Sequence, residues 1–542
     1  MSPLARLAPL AAILPALAPT ATAQVAREDA EIAPITLAGG ARFGTAIAID
    51  GDLAVIAAPE NSAPTPANGS VLVYERDSLG HWGQGQTISG DSGSSLQRFG
   101  TTVDLSGTRF IAGSPFAFQV ADIYERGIGG SWSRVAQFTK PIGDVNNWAN
   151  AVAIDGDTAV VVSNSVGNPF TPKGRAYLYE RDALGVWNVA GSFEGTQSTV
   201  LLDDSFGSDV ELEGDLVVVG AGKEKEAGIA KAGAVYVAER GAAGGWSLLQ
   251  RLVEPTVQAD ALFGDSVCLR DGVLFVGASG AATAAGANAG EVHVFERNLA
   301  GTFVHTLTIA PSDAAAGDFF GAALDVDPSG ARLVVGTPGA DTNAAPTGAC
   351  YLFERRADGT WFESLRVVHS NPGTSDQLGG STGQSVALSD DVALLGTPGR
   401  NSFFGTVQVL EFGTLYHGDD VLSLAAGGTQ HLFLRGGADA ANDVYLVLGS
   451  FTGDAPGVVL APGVVLPLVV DAYTNLALSL GTSVFPAVGG LGADGERDAA
   501  LTLPPGVLPW LAGKTIYHAY LTVDLTTFAP GASNAVSLSF VP

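Results

Sequence analysis

"VLVYERDSLGHW", residues 71–82, reads as an alternating strand, a Gly-containing turn and a Trp that opens a further strand. Close copies return as "AYLYERDALGVW" at 176–187 and "EVHVFERNLAGTF" at 291–303. Self-similarity at a fixed period of this size marks a repeat architecture, so the copies decide the fold.

Aligned on these strings, the chain shows seven copies. Each opens on an aromatic-Gly-like pair: Phe43-Gly44, Phe99-Gly100, Trp148-Ala149, Phe206-Gly207, Phe263-Gly264, Phe320-Gly321 and Thr382-Gly383. The spacings are 56, 49, 58, 57, 57 and 62 residues. Within a copy come an alternating strand ("TAIAID"), a tight turn ("DGD"), an apolar strand ("LAVIAAP"), a variable loop and the "YER" strand. An aromatic such as Trp82, Trp132 or Trp361 then opens a fourth strand. Four strands repeated seven times predict a β-propeller. The seventh copy stops one strand short at "GTVQVLEF" (405–412), while "EIAPITL" (31–37) supplies a spare strand before the first Phe-Gly. A blade split between the two ends closes a ring, whereas a linear solenoid needs two caps.

The Phe-Gly openings followed by "VVGAG", "FVGAS", "VVGTP" or "LLGTP" resemble the FG-GAP repeat, the blade unit of the integrin α-chain propeller and of many bacterial secreted proteins. The resemblance covers residues 24–412 and implies a seven-bladed propeller serving as a binding or adhesion scaffold. It implies no activity.

The repeated pairs Glu75-Arg76, Glu125-Arg126, Glu180-Arg181, Glu239-Arg240, Glu296-Arg297 and Glu354-Arg355 fall at one equivalent position, and Glu411 keeps the acid alone. A catalytic dyad is not built six times; a strap between neighbouring blades can be. Function is therefore expected in what does not repeat. The loops "SVGNPFTPKGR" (165–175), "GKEKEAGIAKAG" (222–233), "PGADTNAAPTG" (338–348) and "PGRNSFFG" (398–405) follow equivalent strands and should share one face. Lys223, Lys225 and Lys231, in an otherwise acidic ring, and Phe403 and Phe404 are the candidate binding residues.

In integrin-type blades the first hairpin turn is a calcium loop, D-x-D-x-D-G-x-x-D, rich in the oxygens a hard cation needs. Here "DGD" at 50–52 and 155–157, "EGD" at 213–215 and the pair Asp390-Asp391 are too short to wrap an ion, and Asp-Gly is a favoured hairpin turn. Only Asp325, Asp327 and Ser329 keep the acidic spacing, so they are the candidate Ca2+ ligands. Leu333 stands in place of the last carboxylate and Pro328 interrupts the loop, which makes a plain turn the expectation there. The seven histidines show no ligand spacing, and His293 and His305 read as structural strand residues. No nucleophile elbow, Walker loop or dinucleotide turn has the context it needs.

Composition bounds the rest. With 542 residues, 71 Gly, 28 Pro, 46% hydrophobic and 15% charged residues, the chain suits a turn-rich all-β protein. Arg6, the apolar run 7–18 and "ATA" at 21–23 read as a signal peptide cleaved near Ala23. The run is too short and Pro-broken to span a bilayer. The expected location is therefore secreted, extracellular or periplasmic. A net charge of −28 disfavours nucleic acid and anionic lipid as partners. Cys268 and Cys350 sit in apolar strand patterns; export would permit their pairing, and burial as free thiols is the simpler expectation.

After residue 412 the repeat stops. Alternating segments at 430–435, 445–450, 476–480, 517–523 and 536–540 predict a β-sandwich over 413–542, in which Trp510, Tyr517 and Tyr520 read as core, with carbohydrate binding, partner docking and surface retention all open as roles for the module. The predicted organisation is a signal peptide (1–23), a seven-bladed propeller (24–412) and a sandwich (413–542). The expected function is a non-enzymatic binding or adhesion scaffold for an extracellular protein or glycan. The alternative is an extracellular polysaccharide hydrolase or lyase, which would need a cleft where non-repeated carboxylates or histidines converge.

Overall fold

Each hairpin turn of the repeat starts from backbone geometry. Asp50 pairs with Leu53, leaving Gly51-Asp52 as a two-residue loop in which Gly51 takes φ +56°. Gly107, Gly156 and Gly214 repeat that conformation at φ +55 to +56°. In the fifth copy Asp271 (φ +49°) and Gly272 (φ +75°) are both left-handed, the pattern of a type I′ turn. These turns fold the alternating segments into antiparallel four-stranded sheets.

The computed structural model describes most of residues 24–541. Residues 1–23 lie outside the description, as do stretches such as 63–67, 92–96, 167–172, 197–205, 341–346, 370–375, 381–383 and 390–391. In the C-terminal part the main ones are 436–442, 467–487, 492–495, 504–510 and 524–529. The signal-peptide reading, the Thr382-Gly383 opening, the Asp390-Asp391 turn, the 476–480 strand and Trp510 therefore fall outside the described residues. Contacts divide the chain into a unit at Val25–Glu411 and a second that holds Phe412–Pro542.

The first unit is a seven-bladed propeller. Blades one to six are consecutive antiparallel sheets, and blade seven joins Val386–Leu388, Val392–Thr397 and Thr406–Glu411 to the N-terminal strand Ala30–Ile32. The first strands form the inner ring: Ile47–Asp50, Thr102–Ser106, Asp144–Asp155, Phe206–Glu213, Phe263–Arg270, Ala323–Val326 and Val386–Leu388. Each packs on the next, and the seventh packs back on the first. The closing strand pairs Ala30 with Val409 and Ile32 with Val407, at the start of the stretch expected from the sequence and ending two residues before Pro34. A further strand, Gln24–Arg27, adds a fifth member to blade six beside Trp361–Val368.

The aromatic of each opening is a seam residue. Phe43, Phe99, Trp148, Phe263 and Phe320 are fully buried. Their backbones bond to the preceding blade: Phe99 N–H donates to Asn68 O (3.0 Å), Phe320 to Ala289 O (3.0 Å) and Phe43 to Phe404 O (2.9 Å). The same bond in blade seven runs from Leu378 N–H to Thr347 O (3.1 Å), and Gly379 takes φ +79° beside it. The seventh opening is therefore Leu378-Gly379 and not Thr382-Gly383. Leu378 lies 58 residues after Phe320, matching the period better, and an aliphatic side chain fills the aromatic's buried place. In blade three Ala149 accepts the left-handed conformation (φ +60°) that Gly supplies elsewhere.

The second unit packs two sheets on one apolar core. One sheet joins Leu415–His417, Gly428–Arg435 and Glu496–Leu503. The other is built around Thr515–Val523, flanked by Val444–Ser450 and Val536–Val541. Leu432, Leu434, Ala499 and Leu501 of the first sheet meet Val447, Ile516, Tyr520 and Leu538 of the second, the arrangement of a β-sandwich. Tyr520 is buried in that core, and Tyr517 is only partly buried. Cys268 and Cys350 are both free and buried, in blades five and six of the propeller.

Candidate functional site

The repeated polar residues hold blades together. The guanidinium of Arg126 reaches back to Glu75, Arg240 to Glu180 (2.8 Å) and Arg355 to Glu296 (3.0 Å); Arg181–Glu125 and Arg297–Glu239 are the same bridge. The two acids of the "DGD" turn divide the work. The first clasps the next blade's turn: Asp50 accepts from Gly107 N–H (2.6 Å) and Asp155 from Gly214 N–H (2.8 Å). The second faces the Arg of its own blade, as Asp157 with Arg181 (3.6 Å) and Asp215 with Arg240 (3.7 Å). One end of the propeller is thus lined with architecture.

The inner ring encloses a cavity of about 320 Å3 bordered by strands of all seven blades. Asp104, Asp209 and Asp325 each point along it and accept two backbone N–H groups, one from the next residue and one from the following blade. Asp209 takes Val210 and Val267 (both 3.0 Å), and Asp325 takes Val326 (2.8 Å) and Leu388 (2.6 Å). Asp104 takes Leu105 and Ile154 in the same way. Burial pushes Asp209 up to about 7 and Asp325 up to about 6, and raises Asp104 and Glu211 as well, the neighbouring acids adding to the effect. The thiol of Cys268 donates to Asp325 at 3.6 Å. Asp104, Asp209 and Asp325 are brackets between inner strands, and burial moves their titration upward out of the ordinary carboxylate range.

The candidate calcium residues are not brought to one point. Asp325 is committed to blade seven as just described. Asp327 caps its own turn, accepting from Ala331 and Arg332 N–H (2.8 Å each) through Oδ1 and from Ser329 Oγ (2.7 Å) through Oδ2. The Arg332 guanidinium stands 3.8 Å from Asp327 Oδ2, so a cation already faces that carboxylate.

The loops between second and third strands emerge at the opposite end from the "DGD" turns. In the loop 222–233 the alternation Lys-Glu-Lys-Glu sends charges two ways. Glu224 is buried, accepting from Tyr236 Oη (2.8 Å) and Arg251 Nη2 (2.6 Å), and Glu226 also meets Arg251 (2.7 Å). Lys223 and Lys225 point to solvent, and exposed Lys231 lies 3.6 Å from Asp260. The loop is therefore a fixed support for outward cations. Phe403 and Phe404 sit apart from it, at the seam of blades seven and one. Their carbonyls accept from Arg42 and Phe43 N–H (2.9 Å each), and Arg42 stacks over the Phe403 ring at 5.1 Å. Both rings remain about two-fifths exposed, at 43% and 41%. The structure does not bring the lysines and these two phenylalanines together in any described contact.

One grouping was not legible from spacing. His293, read above as structural, meets Glu254 and Glu291 at the seam of blades four and five. Aligning His293 with Tyr236 and Tyr351 across blades is the signal that could have marked it. Burial works against its charged form, yet the two carboxylates hold His293 above its ordinary value.

A closed ring of seven four-stranded blades, seamed by Phe-Gly pairs, defines a repeat propeller. The propeller carries FG-GAP repeats: residues 27–74, 198–238 and 303–353 match the FG-GAP repeat. No curated protein matches the sequence significantly. Among solved structures, Sqt1 from Chaetomium thermophilum is similar at 11% identity with a TM-score of 0.40, over 72% of this chain and 92% of that one. Among the described residues, no helix is long and apolar enough to cross a membrane.

Proposed function

We propose that this protein is an exported, non-enzymatic binding scaffold whose ligand face is the set of loops between second and third strands. The observation that carries the reading is the division of polar groups between the two ends. Acids and arginines that recur are consumed blade to blade, while Lys223 and Lys225 do not recur and stand exposed on a loop anchored by buried Glu224. Binding groups on a rigid support lose little freedom on association. Cationic tips on a chain of net charge −28 favour a partner with acidic groups, an extracellular protein or an anionic glycan. Export rests on the N-terminal leader read from the sequence and on the habit of the family.

The test is a panel of immobilised uronate-bearing and sulfated glycans and purified extracellular proteins, probed with the full chain and with Lys223→Glu/Lys225→Glu. Saturable binding that weakens in the double variant and in higher salt supports the reading; equal binding by both overturns the assignment of that face.

The hydrolase or lyase reading would place its chemistry in the central cavity. There Asp104, Asp209 and Asp325 are committed to backbone donors, whereas Glu211 makes no described hydrogen bond. Release of reducing ends or unsaturated uronates from polysaccharides, abolished by Glu211→Gln, would favour it.

A further inference from the structure

In blades four and six the seam facing the preceding connection carries its own cation. Tyr236 pairs across the sheet with Arg251, which neutralises Glu224 and Glu226. Tyr351 pairs with Arg366, which lies 3.2 Å from Asp313. Blade two keeps the balance with Arg134 beside buried Asp122 (3.4 Å). In blade five the register partner of His293 is Thr308, so the cross-strand arginine of blades four and six is replaced by a threonine. Two carboxylates gather there nonetheless, Glu254 from the blade-four connection and Glu291 from the same strand face as His293.

His293 Nε2 lies 3.2 Å from Glu291 Oε1 and 3.8 Å from Glu254 Oε1. Glu254 stands beyond hydrogen-bond distance and Glu291 forms no well-aligned hydrogen bond, so this buried nitrogen faces only the two carboxylates. His293 is 3% exposed and Glu254 2%. Ligand atoms around Zn2+, bound at about 2.0–2.1 Å in tetrahedral geometry, stand about 3.3–3.4 Å apart, and the observed separations straddle that edge. The outer contacts also fit a ligand set. Gln258 donates to both oxygens of Glu254 through its backbone N–H (3.0 Å) and Nε2 (2.9 Å), fixing the carboxylate. His293 Nδ1 faces Thr308 Oγ1 (3.2 Å) and His305 Nε2 (3.4 Å), contacts that accommodate a proton on Nδ1, the tautomer in which the Nε2 lone pair is free for an ion. Glu291, partly exposed, leaves an approach from solvent.

We propose that Glu254, Glu291 and His293 form a binding site for a divalent first-row cation, Zn2+ by preference, which takes the place that Arg251 and Arg366 fill in the neighbouring blades. The donor set is one imidazole and two carboxylates, with a fourth position open to water. It is distinct from the family's calcium turns, and three donors with a nitrogen among them suit Ca2+ poorly. The ion joins the connection leaving blade four to the third strand of blade five, so its role is to seal that seam.

The experiment uses the full chain without a histidine tag, freed of metal by chelator and dialysis, then titrated calorimetrically with ZnCl2, MnCl2 and CaCl2. Saturation with one Zn2+ per chain, with a rise in Tm and no comparable response to CaCl2, is expected. Binding should fall more than about 100-fold in His293→Gln, beyond what loss of a supporting contact causes. Thr308→Arg, which copies blades four and six, should fold and bind no Zn2+. If the variants fail to fold, CoCl2 added to the wild type decides: intense visible absorption of a four-coordinate site supports the proposal, and its absence overturns it. No saturable Zn2+ binding, or binding kept in both variants, also overturns it.

Discussion

Arg126 Nη2 lies 2.7 Å from both carboxylate oxygens of Glu75, one blade earlier in the ring. Both side chains are substantially exposed, at 34% and 47%, so solvent screens the pair. A double-mutant cycle on Arg126→Ala and Glu75→Ala should give a coupling of about 0.2–1 kcal/mol in urea unfolding. A coupling of several kcal/mol would mean that the straps, and not the buried seams, dominate the ring's stability.

Gly405 closes the ring. It takes φ +79°, and a Cβ there would overlap the carbonyl oxygen of Phe43 in blade one. Gly405→Ala should therefore cost well above the about 1–2 kcal/mol that left-handed backbone alone imposes on a Cβ-bearing residue. Gly359, at φ +83° with open space around it, is the control, and Gly359→Ala should stay near that figure. Equal losses in thermal and urea unfolding would show that the seam can move aside.

The protonated brackets set a pH dependence. Asp209 and Asp325 have folded values raised by burial to about 7 and about 6, above the ordinary carboxylate value. The folded protein thus holds more protons than the unfolded chain across mildly acidic pH. Their contribution is fully present below the ordinary carboxylate range and is lost as pH climbs through the raised values. Tm should be higher at about pH 5 than at about pH 8, and Asp209→Asn should shrink the difference. A Tm that climbs between those two conditions would contradict the bracket argument.

Calcium should leave Tm unchanged at millimolar concentration. Asp327 already serves Ala331, Arg332 and Ser329, and Asp325 serves Leu388. An ion bound only to the folded state would raise stability by about 2.7 kcal/mol at a hundredfold excess over Kd. A calcium-dependent rise abolished by Asp327→Ala would restore the turn as a site.

The repeat was legible because each blade solves the same packing problem with the same residues: a buried Phe, a left-handed Gly, a Glu-Arg strap. The seventh opening was misplaced because Leu378 fills that pocket without being aromatic, so Thr382-Gly383 looked the better match. The second function of "DGD" was hidden as well. A turn's sequence reports its own hairpin, whereas Asp50 acts on Gly107 of the next blade. The four-residue strand Gln24–Arg27 is too short for a periodic signal, and its partner lies in blade six. Glu254 and His293 come from different blades, so only register across the ring brings them together.

The N-terminal strands carry a consequence for the order of assembly. Glu31 pairs with Arg400 at 3.2 Å across 369 residues, and Ala30–Ile32 waits for Thr406–Glu411. Blades one to five contain their own strands and can collapse as the chain emerges, but these pairings have the highest loop-closure cost in the propeller and should form late. Until then blade seven presents an open strand edge, the kind of surface that recruits a second chain. Concentration during refolding, more than temperature, should therefore decide how much of this protein reaches a closed ring.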